Sequence, residues 1–300
     1  MVVTSFFMPG TARCRCPYPP DGGQSPPYSR ACPAEGRRKD LNEFQSQTRV
    51  PQLMNPGSTT LVLLSYNERE ALEKLVSLIP FALFDRVFAI DAGSTDGTLD
   101  LYQAHAIPYV VQAVPGRGNA FLQAQALVET ERVVFFSTDG NEDPGDLPRM
   151  LGYLDEGYDL VIAGRFIMVG SSSDDSDDFF RIRKLGSMTY SLIVRVIWGS
   201  GVWDSCNGYR GFRLASMKRM KLDAPLHEIE LQSTIRATKL GMKVKEFPTR
   251  ELRRMGGTHK ATAKTLTLAW RTGLFLLREV FLGKRWLAVE NERRGVKNSL

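Results

Sequence analysis

Three short apolar runs in this chain each end in an acidic, turn-forming segment. Thr60-Leu61-Val62-Leu63-Leu64 runs into Ser65-Tyr66-Asn67-Glu68. Arg86–Ile90 runs into Asp91-Ala92-Gly93-Ser94-Thr95-Asp96-Gly97-Thr98, and Val133–Phe136 into Ser137-Thr138-Asp139-Gly140-Asn141-Glu142-Asp143-Pro144. Continuous apolar runs of about five residues are expected of parallel strands buried on both faces. In an open α/β sheet, ligands collect at the carboxyl ends of such strands. Acidic turns converging there are costly unless a cation neutralises them, and hard carboxylate oxygens favour Mg²⁺ or Mn²⁺.

The stretches between these runs complete an α/β pattern. Helices are expected over Glu68–Leu78, Thr98–Ala104, Asn119–Glu129 and Pro148–Leu154, with further strands at Tyr109–Gln112 and Leu160–Ala163. Asn67, Asp146, and Ser94 or Asp96 are the expected caps of three of those helices. Short connectors between alternating strands and helices predict a mostly parallel, doubly wound sheet with helices on both faces. Beyond an acidic, serine-rich stretch at Ser171–Asp178, Ile182–Trp198, Glu228–Leu240 and Leu266–Phe281 read as helix and Met242–Phe247 as strand.

Residues 1–57 carry nine of the 16 prolines and no sustained hydrophobic period, and read as a disordered leader or a mis-assigned start. Residues 58–263 read as the folded unit, with a nucleotide- and metal-binding half at 58–170 and an acceptor half at 179–263. Residues 264–300 read as a C-terminal helix and basic tail. Cys14, Cys16 and Cys32 cluster in the leader and Cys206 stands alone, so no disulfide framework is expected and a reducing cytoplasm fits.

Charge divides the chain more sharply than its net +6 implies. Residues 58–178 hold 7 Lys+Arg against 20 Asp+Glu, a balance of −13; residues 179–300 hold 25 against 9, a balance of +16. An acidic half suggests a cation, and a basic half an anionic partner. No run of 18 uncharged apolar residues suggests a membrane span, and no signal peptide is expected. Ile182–Trp198 and Leu266–Phe281 are nonetheless apolar with arginines interspersed, a pattern suited to lying in a headgroup layer.

The motifs resemble those of the family 2 glycosyltransferases of the GT-A fold, specifically the dolichyl-phosphate mannosyltransferase-like, polyprenyl-phosphate branch. The resemblance rests on Tyr66-Asn67-Glu68, the Asp91–Thr98 turn, Gly116-Arg117-Gly118 and the Asp139–Pro148 segment. Further matches are Asp159–Phe166, Asp204–Arg210, Glu228-Ile229-Glu230 and Arg254-x-x-Gly257-x-His259-Lys260, and together they cover about Thr59 to Ala263.

The resemblance implies a nucleotide-sugar donor held by Tyr66, Glu68, Asp91, Arg117 and Asp139, with Asp139 the ligand of a Mg²⁺ or Mn²⁺ ion. It implies a polyprenyl-phosphate or glycan acceptor, with Arg165, Arg183, Arg210, Arg254 and Lys260 toward phosphate, and no nucleic acid. Inverting transfer to a hydroxyl acceptor would need a general base, for which Glu230 and Asp204 are the candidates; a lipid phosphate would need none. The enzyme would be cytoplasmic, or peripheral at the inner face of the cell membrane. Two positions depart from the family pattern: its Asp-x-Asp becomes Ser137-Thr138-Asp139, and its paired acids become Asp91-Ala92. They leave open an inactive sugar-nucleotide-binding relic. A sugar-1-phosphate nucleotidylyltransferase would need a glycine-rich phosphate loop after the first strand, which Ser65–Glu68 is not.

Overall fold

A computed structural model of the chain describes residues 57–167, 182–256 and 265–283. The three N-terminal cysteines, Ser171–Asp178, His259 and Lys260 lie outside the described residues, as does the side chain of Arg183. Along the chain run β1 (Thr59–Ser65), α1 (Arg69–Leu75), β2 (Arg86–Asp91), α2 (Thr98–Ala104), β3 (Tyr109–Val111), α3 (Arg117–Leu127), β4 (Arg132–Ser137), α4 (Leu147–Asp155) and β5 (Leu160–Gly164). Then come α5 (Ile182–Trp198), β6 (Arg210–Arg213), α6 (Leu214–Met220), α7 (Glu228–Lys239), β7 (Val244–Pro248) and α8 (Thr265–Leu282).

The seven strands form one sheet in the order β3-β2-β1-β4-β6-β5-β7. All neighbours are parallel except β6, which runs antiparallel to both β4 and β5. The mostly parallel GT-A-type sheet expected from the sequence is therefore present. Alternate residues of the buried strands feed two cores. Val62, Leu64, Phe88 and Phe135 pack with Phe121 of α3 and Ile235 of α7 on one face. Leu61, Leu63, Val134 and Phe136 pack with Leu72 of α1, Tyr102 of α2 and Leu154 of α4 on the other.

The topology fixes where a ligand can sit. The chain winds from β1 outward to β2 and β3, then returns to lay β4 on β1's other side. That reversal opens a crevice beyond the carboxyl ends of β1 and β4. Register places Ser65 opposite Asp91 and Leu64 opposite Ser137, so the three acidic turns leave the sheet at one level.

Three local expectations are corrected. Asn67 is not a helix cap: it takes a left-handed backbone (φ 51°), and its Oδ1 accepts from the Thr95 N–H at 2.8 Å. The first N–H of α1 instead donates to Asp96 Oδ2 at 3.0 Å, from a loop 27 residues away. Asp96 also accepts from the Thr98 N–H at 3.0 Å, whereas the Ser94 hydroxyl is turned to Asp91. Asp146 precedes α4, but its carboxylate accepts from the Thr249 hydroxyl and makes no cap bond. The sequence also gave no sign of β6, whose four residues include two arginines; Phe212, edge-on to Phe121 and Phe135, holds it in place.

Candidate active site

The crevice at the switch point holds a polar cavity of about 160 Å³, lined among others by Arg117, Ser137, Asp139, Glu142, Arg165 and Glu230. Asp91, at the end of β2, organises the loop that follows it. It is fully buried, and its carboxylate accepts from the N–H groups of Gly93 and Ser94 (2.8 and 2.6 Å) and from the hydroxyls of Ser65 and Ser94 (2.8 and 2.6 Å). Four donors hold such a carboxylate rigidly and leave it little capacity for a ligand of its own. Tyr66, the residue after β1, is 45% exposed.

The acids on the neighbouring turns are bridged by one arginine. Arg254 pairs with Glu68 and places Nη1 3.5 Å from Asp139 Oδ2, while its Nε donates to the Gly256 carbonyl. The loop that carries it is anchored on the backbone of the turn after β4: the Met255 N–H donates to the Asp139 carbonyl at 3.2 Å, and Leu252 to that of Asn141 at 2.8 Å. Gly140 is required there. Its φ is +89°, and a Cβ would come within 2.6 Å of Met255.

Across the cavity, Arg117 begins α3. It pairs with Glu230, reaches the Ser137 hydroxyl at 3.2 Å and lies 3.8 Å from Glu142. The glycine after it packs flat against the Ala224–Leu226 backbone; a Cβ on Gly118 would lie 2.0 Å from the Ala224 carbonyl oxygen. Glu142 accepts from the Ser137 N–H at 2.7 Å and the Ser137 hydroxyl at 2.9 Å. Burial pushes its carboxyl up to about 8; Arg117 pulls the other way and Asp139 adds repulsion.

Arg165 forms the third cationic corner. Its Nε donates to Asp204 Oδ2 at 2.7 Å and Nη2 to Oδ1 at 3.1 Å, a bidentate fork, and Nη1 reaches Glu251 at 3.3 Å. Asp204 is wholly buried, and its own N–H and that of Trp203 donate to Glu246, each at 2.7 Å. Burial raises Glu246 to about 7.

The structure thus gathers Arg117, Asp139, Arg165 and Glu230 around one cavity, with Glu68, Asp204 and Arg254 bonded to its walls. Arg210 does not reach it. Its guanidinium is completely buried and donates to the carbonyls of Asn207 and Glu230 and to the Ser233 hydroxyl, tying the 205–207 loop to α7. Lys260 lies outside the described residues and the Arg183 side chain is undescribed. Sequence reading missed Glu142, Asn141 and Glu251. The first two stood inside the Asp139–Pro144 motif and passed as spacers.

Both candidate bases, Glu230 and Asp204, are held by arginines. A divalent cation fits beside them. The oxygens Asn141 Oδ1 and Glu230 Oε2 are buried without a hydrogen-bond partner, and Asn141 and Glu230 line the same cavity as Asp139. Unsatisfied buried oxygens around carboxylates are the donor set a hard cation takes.

Comparison with known proteins bears on these motifs. A polyprenol monophosphomannose synthase of Mycolicibacterium smegmatis is 28% identical, over 72% of this chain and 86% of its own. Glycosyltransferase AglJ of Haloferax volcanii is 30% identical over 65% of this chain and 63% of its own length, so the chain spans under two thirds of that relative. The same fold occurs in glucosyl-3-phosphoglycerate synthase from Mycobacterium tuberculosis, solved with Mn²⁺, uridine diphosphate and phosphoglyceric acid. That likeness has a TM-score of 0.60 at 20% identity and covers 79% of this chain and 81% of the other. Residues 60–220 match the glycosyl transferase family 2 domain, which is more than half of the chain, and the protein belongs to that family.

Proposed function

We propose that the chain transfers a sugar, with inversion, from a UDP- or GDP-sugar to a polyprenyl phosphate. The observation that carries this reading is the pairing of both candidate bases with cavity arginines: Glu230 with Arg117, and Asp204 bidentately with Arg165. A hydroxyl acceptor needs a carboxylate able to take its proton. A phosphate acceptor is already anionic and needs cations that stay charged and in position, which buried carboxylate partners provide. The name of the related polyprenol monophosphomannose synthase points to the same acceptor class.

In this scheme a phosphate oxygen attacks the anomeric carbon from the face opposite the nucleoside diphosphate. The bond from that carbon to the diphosphate breaks, and its electron pair leaves with the diphosphate. Arg165 orients the attacking phosphate. Glu68 and Asp91 fix the nucleotide turn, with Tyr66 exposed beside it as a surface for the base. Arg254, freed from Glu68, turns to the phosphates, and Arg117 supports the leaving side from the start of α3. Asp139 would hold the Mg²⁺ or Mn²⁺, which when bound supplies Lewis-acid stabilisation of the departing charge.

The acceptor reading extends to a membrane surface. On α5, Leu185, Leu192 and Val196 are exposed; on α8, Trp270, Leu277 and Phe281 are, with Val196 at 75% and Phe281 at 78%. Both triplets advance by seven and then four residues, which keeps each on one helix face. The Tyr190 hydroxyl donates to the Ala269 carbonyl at 3.3 Å, tying the two helices together. Among the described residues no helix is long and apolar enough to cross a membrane. Such a two-helix apolar face with basic neighbours suits in-plane seating, where a lipid-linked phosphate resides.

The deciding experiment offers purified protein a panel of UDP- and GDP-sugars with Mn²⁺, and either a polyprenyl phosphate or a hydroxyl-bearing glycan. Glycosylated lipid phosphate is the expected product. Transfer to the glycan alone would overturn the acceptor class, and nucleotide binding without turnover on either acceptor would favour a relic.

A further inference from the structure

The acid missing from position 137 is replaced in space. Ser137 gives both its N–H and its hydroxyl to the Glu142 carboxylate, so an acidic group stands over residue 137 although the side chain there is only a hydroxyl. Glu142 is 9% exposed and lines the same cavity as Asp139. Glu230, 2% exposed, lines that cavity too and carries a buried oxygen without a hydrogen-bond partner. A buried oxygen left in this way is costly unless something arrives to satisfy it.

The local charges agree. Around Asp139, the carboxyl groups of Glu68, Asp139, Glu142 and Glu230 face the guanidiniums of Arg117 and Arg254, and at the third corner Arg165 faces Asp204 and Glu251, so acidic groups outnumber guanidiniums throughout. A divalent cation entering the cavity would offset that imbalance.

We propose that Glu142 is the second protein carboxylate of a divalent-cation site shared with Asp139, standing in for the acid absent at position 137. The inference rests on the reading that this crevice holds a nucleoside diphosphate. Among the described residues no three His, Cys, Asp or Glu side chains form a ready metal cage, so diphosphate oxygens and water complete the shell. A hard cation held by few carboxylates retains such ligands. Relocating the carboxylate by five positions along the chain keeps the charge in the cavity and changes only the backbone that delivers it. The departure at Ser137 is then no sign of lost metal binding.

The test follows Mn²⁺ by electron paramagnetic resonance, titrated alone and with UDP or GDP, into the wild type, Glu142→Gln, and the double variant Ser137→Asp with Glu142→Gln. Glu142→Gln is expected to weaken Mn²⁺ binding in the nucleotide complex by about tenfold or more, by analogy with the loss of one group supporting a metal site. The double variant, with a carboxylate returned to position 137, is expected to recover most of that loss. Glu142→Gln binding Mn²⁺ within about twofold of the wild type would overturn the proposal. Should Glu142→Gln not fold, Glu142→Asp carries the test: weakened Mn²⁺ binding supports the assignment and wild-type affinity overturns it. Wild-type protein that binds nucleotide equally well without Mn²⁺ overturns the cation site and spares the donor reading. Wild-type protein that binds neither UDP nor GDP overturns the donor reading itself.

Discussion

Arg254 closes onto Glu68 across 186 residues of sequence, and the pair ties the 252–256 loop to the turn that follows β1. The guanidinium is nearly buried and Glu68 is 7% exposed, so the contact neutralises a carboxylate that water scarcely reaches. It is an internal cation resting beside Asp139.

Removing that cation should therefore cost stability that a metal–nucleotide complex can return. Arg254→Ala is expected to destabilise the free protein by about 2 kcal/mol, the scale for stranding a buried charged partner at a site that still opens to a cavity. Thermal melts with and without Mn²⁺ and UDP or GDP check this. The ligand-induced rise in Tm should be larger in Arg254→Ala than in the wild type, and an equal rise would show that the two do not compete for the same acids.

Asp139→Ala should separate fold from activity. Its carboxylate is a quarter exposed, accepts from the Asn141 N–H at 3.1 Å and lies 3.5 Å from Arg254 Nη1. Loss of so loosely held a surface-facing group should change stability by less than about 1 kcal/mol, within the range of ordinary loop substitutions. Sugar transfer should fall to background. Wild-type turnover in this variant would move the cation elsewhere.

Glu279 predicts the opposite balance. It lies on α8 at 0% exposure and receives Arg236 at 2.8 Å and Lys239 at 3.0 Å, both from α7. Glu279→Gln leaves two buried cations short of charge and should cost about 3 kcal/mol in urea unfolding. Burial acts to raise the Glu279 pKa, but Arg236 and Lys239 more than offset it, so the folded value lies below the ordinary 4.5. The stability from this depressed acid is present above pH 4.5 and lost as pH falls through the folded pKa. Glu279→Gln should accordingly flatten the acid limb of unfolding.

Glu246 titrates in the other direction. Burial raises it from 4.5 to about 7, while the N–H groups of Trp203 and Asp204 hold its carboxylate. A raised acid contributes stability that is complete below pH 4.5 and is lost as pH rises through about 7. Between pH 5 and 8 the wild type should lose more Tm than Glu246→Gln. Parallel curves would mean the group does not titrate there.

The sheet and its acidic edge were legible because buried parallel strands leave unbroken apolar runs, and the acidic turns follow them without a gap. Glu142 was not legible. Its role depends on the N–H and hydroxyl of Ser137 reaching it around a glycine turn, and no spacing rule marks such a bond. Arg210 misled for a related reason: arginine in a phosphate-facing motif resembles arginine buried to staple a loop, and only burial tells them apart. Asn67 and Asp146 misled because a side chain near a helix start can bond to another loop as readily as to its own helix. β6 was hidden by brevity and by its two arginines.

The paired apolar stripes make the last prediction. Leu185, Leu192 and Val196 on α5 lie on the helix face away from Val194, which is fully buried against the core; Trp270 and Phe281 on α8 likewise oppose the buried Phe275 and Leu276. These helices already have their core contacts, so the exposed stripes are not needed for folding. Val196→Asp and Phe281→Asp should therefore leave the unfolding free energy within about 1 kcal/mol of the wild type, as expected for exposed positions. If the stripes seat in a bilayer, each aspartate places a charge in the headgroup–acyl boundary and opposes the apolar burial that drives attachment. Cosedimentation with vesicles containing anionic lipid should fall severalfold for either single variant and further for the double. Sugar transfer to a short, water-soluble polyprenyl phosphate should stay near the wild-type rate, because the cavity lies at the carboxyl edge of the sheet and neither residue lines it. Unchanged vesicle binding in the double variant would show that these two helices face water.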